Sequence, residues 1–95
     1  MSKKDAYRKK LESQLDEWDA KIEVLKAKAN KAEASARVEY HEAIEDLQKK
    51  RSQARDKLHE LRNAGEDAWE DLKGGLEQSW SDLAAAVKAA TSRFK

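Results

Sequence analysis

An apolar residue recurs at every third or fourth position along nearly the whole chain, and this spacing limits what the chain can fold into. The series runs Tyr7, Leu11, Leu15, Trp18, Ile22, Leu25, Ala29, Ala32, Ala36, Tyr40, Ile44, Leu47, Ala54, Leu58 and Leu61. It resumes as Trp69, Leu72, Leu76, Trp80, Leu83, Val87, Ala90 and Phe94. Arg51 and Gly65 hold the two positions where it lapses. Intervals of three and four mark one face of an α-helix, and no stretch alternates with the period of two that a strand requires. The expected fold class is all-α.

The mean period narrows the architecture. From Tyr7 to Phe94 the stripe makes about 24 turns, roughly 3.6 residues per turn, the pitch of an unstrained helix. A strict heptad repeat would drift by about 20° per repeat against a straight helix and force a supercoil. Residues 11–36 do keep 4-3 spacing and could form a short left-handed coiled coil. The successive fours from Ala32 to Ile44 are a stutter that relaxes it. A bundle of straight helices, or a straight helix lying on an apolar surface, fits better than one long zipper.

Punctuation is sparse, because the 95 residues include no Pro and only three Gly. Asn63-Ala64-Gly65 reads as a helix end. Glu66, Asp67, Glu70 and Asp71 follow where a new helix N-terminus favours acids, and Lys88, Arg93 and Lys95 lie where its C-terminus favours bases. Two segments are therefore expected. Residues 1–64 carry one long helix, from about Lys3 to Asn63 and near 90 Å if straight. Residues 65–95 carry a shorter, Trp-bearing helix. Gly65 is the expected hinge, and Gly74-Gly75, about 2 kcal/mol poorer in helix propensity than two alanines, is a second candidate hinge or kink. The Ala-rich stretch 27–36, with Asn30, is a weaker candidate for a bend; because it holds neither Gly nor Pro it is read as helical.

A helix as long as the first cannot persist in water on propensity alone. Only 39% of the residues are hydrophobic, and many of them are alanines that bury little area. The reading is a hairpin, bundle or coiled coil in a homo-oligomer. Its interface would be Leu11, Leu15, Trp18, Ile22, Leu25, Tyr40, Ile44, Leu47, Leu58 and Leu61. The face of the last helix, Trp69, Leu72, Leu76, Trp80, Leu83, Val87 and Phe94, would meet a partner or lipid. Aromatic stripes are most often core, but Trp and Phe at helical spacing also suit a membrane interface. The opposite face offers little to anionic lipid: residues 65–95 hold six acids against four bases.

The remaining side chains suggest no chemistry. Charged residues make up 41% of the chain with a formal charge of +1, so no overall field attracts nucleic acid. Their interspersed signs allow helical pairs such as Glu17 with Lys21, Glu33 with Arg37 and Glu45 with Lys49. His41 and His59 would lie about 27 Å apart on one helix, too far to share a metal. His41 with Glu42 and Glu45 has a spacing that surface helices produce by chance. Arg51, alone among charged residues on the stripe, either sets register or lays its stem along the apolar face. No catalytic, cofactor, metal or small-molecule site is expected. Met1-Ser2-Lys3-Lys4-Asp5 leads directly into charged helix, so no secretory signal is expected and the cytoplasm is the expected location. The run Leu83 to Val87 is too short to span a bilayer.

Three segments resemble small bacterial coiled-coil proteins of the stress-response kind. They are residues 7–20 (Tyr7-Arg8-Lys9-Lys10-Leu11 through Trp18-Asp19-Ala20), Val38-Glu39-Tyr40-His41-Glu42, and Gly65-Glu66-Asp67-Ala68-Trp69-Glu70-Asp71-Leu72-Lys73. The ending Ala89-Ala90-Thr91-Ser92-Arg93-Phe94-Lys95 is similar too. The resemblance implies a cytosolic helical protein induced under stress, with no catalytic residues to carry over. More loosely, the stripe is similar to apolipoprotein-type helices. The functional expectation is a non-enzymatic oligomerisation or interaction protein. The alternative is a reversible lipid-surface binder, and holding of unfolded client proteins would use the same face.

Overall fold

The computed structural model describes residues 2–94; Met1 and the helix-ending base expected at Lys95 lie outside them. Among the described residues there are three helices, α1 (Lys3–Lys31), α2 (Ala34–Asn63) and α3 (Trp69–Arg93), and no strand. They pack side by side into a bundle of 51 × 20 × 18 Å. The path is up, down, up: Lys4 reaches the end of α2 at Ala64, and Lys28 reaches the end of α3 at Phe94. The all-α expectation holds.

One long helix over residues 3–63 does not form. The chain turns at Ala32-Glu33, both with extended backbone (φ −77°, ψ 155° and φ −64°, ψ 157°). The reason is cover. A 61-residue amphipathic helix leaves its apolar face wet, whereas folding it in half lets each half cover the other. The bend falls where the stripe consists of Ala29, Ala32 and Ala36, so breaking the helix there gives up the least apolar contact. No glycine is needed, because neither residue has a positive φ.

The second turn lies where Gly65 implied it. Residues 64–68 form a tight connection in which the Ala68 and Trp69 amides both donate to the Gly65 carbonyl. Glu70 and Asp71 occupy the first turn of α3, and Arg93 its last. Gly74 and Gly75, read as a candidate hinge, instead lie inside α3, and the helix runs through them unbroken. Hydrogen bonds of a 25-residue helix packed along its length hold them in line. At α1 the N-cap is Ser2, whose Oγ accepts the Asp5 amide at 3.1 Å.

The core contains every large residue of the stripe that the bundle can enclose. Among the described residues, Leu25, Leu47, Leu61, Leu76 and Leu83 are the largest fully buried side chains, and no polar or charged residue is buried. Val24 and Val38 are the large hydrophobics left exposed among the described residues.

Candidate functional site

The apolar face is the feature on which function would turn, and the structure places it inside the molecule. Of the residues read as an oligomer interface, Leu11, Leu15, Ile22, Leu25, Ile44, Leu47, Leu58 and Leu61 are buried within the chain, and Trp18 and Tyr40 are half-buried against the same core. Of the residues read as facing a partner or lipid, Trp69, Leu76, Trp80, Leu83, Val87 and Phe94 are buried and Leu72 is half-buried. One chain thus covers its own stripe. An unsatisfied apolar face no longer demands a partner.

Aromatic pairs hold the three helices together at three levels. Tyr7 meets Trp69 with ring centroids 5.9 Å apart, Trp18 meets Trp80 at 5.8 Å, and Tyr40 stacks on Phe94 at 4.2 Å. Each pair joins α3 to one of the other helices, at its beginning, middle and end. Such pairs contribute about 0.5–1.5 kcal/mol beyond the area they bury. Lys73 Nζ lies 5.2 Å from the Tyr7 ring centroid and 5.7 Å from that of Trp69, capping the first pair with a cation. The Trp80 indole Nε1 donates to Gln14 Oε1 at 2.9 Å, so the ring is buried with its polar atom satisfied.

Polar contacts set the register at the rim. Arg51 does not merely lay its stem along the stripe: its guanidinium grips Asp19 across the α1–α2 interface with both arms. That hydrogen bond to Asp19 is the main reason the Arg51 pKa is raised further. The Tyr7 hydroxyl donates to Glu77 Oε1 at 3.3 Å; burial, then the Glu77 charge and hydrogen bond, push the phenol above its ordinary 10.0. Sequence spacing could not reveal either link, because both partners come from distant positions. The helical pairs Glu17–Lys21, Glu33–Arg37 and Glu45–Lys49 do not form. Arg37 instead donates to the Ala32 carbonyl at 2.9 Å, and Arg8–Glu12 and Lys50–Asp46 are among the pairs made.

His41 and His59 are both exposed on α2, where Asn63 Nδ2 lies 3.2 Å from His59 Nε2. Among the described residues no three His, Asp or Glu side chains converge as a metal site. The surface has shallow open grooves, such as the one between α2 and α3 beside Leu47, Ala90 and Phe94. No described helix is long and apolar enough to cross a membrane. The chain matches no family model, no curated protein and no solved structure.

Proposed function

We propose that this chain works without chemistry of its own, as a helical interaction protein that can exchange the cover of its apolar face. Closed, it covers that face with its own three helices. In the other state, helices of another polypeptide do so, foremost those of a second copy. One observation carries this reading: the face filling the bundle is a single 3.6-period stripe that stays in phase through both connections. Nothing in an entirely apolar core distinguishes a helix of the same chain from an identical helix of another. The specifying contacts, Arg51 with Asp19 and Trp80 with Gln14, form equally well between two chains. The resemblance of residues 7–20 and 65–73 to stress-response coiled-coil proteins supports a role under conditions that loosen the bundle.

Sedimentation velocity tests this reading on protein refolded at concentrations from about one to several hundred micromolar. An associated species growing with concentration is expected; a monomer at every concentration sinks the proposal.

A second reading, adsorption to a lipid surface, draws on α3. Trp69, Trp80 and Phe94 lie along one face of that helix, and opening the bundle would release all three. Both tryptophans are already buried, 6% and 7% exposed, so a fluorescence shift discriminates poorly. Quenching by brominated lipid is the sharper readout, and its absence with both anionic and zwitterionic vesicles removes this reading.

A further inference from the structure

We propose that the α1–α2 turn is a hinge that straightens, and that two copies of the chain then exchange α1 to form an intertwined dimer. The inference rests on the helix-exchange reading above and names the place where exchange occurs.

Three observations point to Ala32-Glu33. The first is its chemistry. The segment Lys28-Ala29-Asn30-Lys31-Ala32-Glu33-Ala34 contains no glycine or proline, and Ala, Lys and Glu are among the residues that most favour a helix. A turn made of helix formers is held open by what packs on either side, not by its own preference.

The second is how little ties the turn down. Glu33, the N-cap of α2, makes no side-chain cap hydrogen bond, whereas Ser2 caps α1. The Ala32 amide bonds back to Ala29, and the exposed Arg37 side chain reaches the Ala32 carbonyl. Glu33, Ala34 and Ser35 are exposed. Straightening gives the amides and carbonyls at this break ordinary i to i−4 helical partners.

The third is geometric. In an exchanged dimer α1 and α2 form one helix, and two such helices lie antiparallel. The α1 half of each then meets the α2 half of the other. This arrangement requires the apolar faces of both halves to lie on the same side of the straight helix. They do: Leu25, Ala29, Ala32, Ala36 and Tyr40 continue at intervals of four, three, four and four. The two hinges cross at the dimer axis, where the stripe is alanine and two backbones can approach closely. The contacts of α1, including Asp19 with Arg51, re-form between chains, while those of α2 with α3 stay within one chain.

The turn geometry also supplies a variant that separates the two states. Glu33 has φ −64° and Ala32 is extended, which is what proline and its preceding residue adopt. Glu33→Pro therefore preserves the monomer. Proline inside a helix weakens it roughly a hundredfold, and the dimer contains two hinges, so its dissociation constant should rise about ten-thousandfold.

The experiment uses the full chain, which has no cysteine of its own, with spin labels at Ser13→Cys and Gln53→Cys, both exposed in the structure. Labelled chain is mixed with excess unlabelled chain, refolded at several hundred micromolar and separated by size. The monomer should give a short distance between labels, since neighbouring helix axes lie about 8–10 Å apart. The dimer should give about 60 Å, the length of 40 residues of straight helix, and Glu33→Pro should form no dimer. A dimer that keeps the short distance, or that Glu33→Pro leaves intact, overturns the hinge while helix exchange by another route stands. Absence of any dimer overturns both.

Discussion

The two connections of the bundle have similar tasks and opposite constructions. Residues 64–68 hold Gly65, whose carbonyl gathers two amides, and Lys4 reaches over from α1 to donate to the Ala64 carbonyl at 2.6 Å. Trp69, the residue that follows this connection, packs against Tyr7 of α1. Ala32-Glu33 has only two residues, both good helix formers, with one exposed arginine bonded across them. One turn is specified by its own chemistry and by contacts from elsewhere. The other exists because two amphipathic halves cover each other better folded than extended.

That difference explains what could be read from the sequence. The break at Gly65 was legible because glycine and the acids after it act locally, on the residues beside them. The break at Ala32 showed only as a weak bend candidate in the Ala-rich stretch and was read as helix, because its cause is tertiary: Ala27 to Ala36 has no Gly or Pro to end a helix locally. Membership of the core was legible almost residue by residue, since a 3.6-period stripe names the buried face whoever covers it. The covering partner was not. The same stripe is compatible with a self-covered bundle and with an oligomer, and only the unseen turn decides between them. Gly74 and Gly75 misled in the other direction: their propensity cost is local, and the packing of α3 along its whole length outweighs it.

Four variants sharpen the contrast. Trp69→Ala removes the buried aromatic that anchors the chain after the second connection and should cost about 3–5 kcal/mol in urea unfolding, the usual cost of truncating a buried tryptophan. A much smaller loss would show that this anchor is incidental. Gly74→Ala with Gly75→Ala should stabilise by about 1–2 kcal/mol. An added Cβ meets nothing within 4 Å at either position, so destabilisation would mean that α3 needs to bend there. Asp19→Ala leaves Arg51 without its partner across α1 and α2, and at this half-exposed rim about 1 kcal/mol should be lost, less at high salt. Glu33→Pro should raise monomer stability by about 0.4–1 kcal/mol in a thermal melt, by restricting the unfolded chain. A loss there would show that the turn is not as the structure has it.

The pH dependence at Tyr7 is the smallest effect expected. Its folded pKa is raised above 10.0, so the unfolded chain releases the proton first. The associated stability is complete below pH 10 and declines as pH rises through the folded value. Tyr7→Phe should flatten that alkaline decline in a stability–pH profile.

Small-angle scattering on freshly prepared, dilute protein tests most directly whether one chain covers its own stripe by turning at Ala32-Glu33. Scattering from a monomer consistent with a 51 × 20 × 18 Å bundle is predicted. A particle near 90 Å long at the lowest concentration, the length of an unbroken helix over residues 3–63, would contradict it.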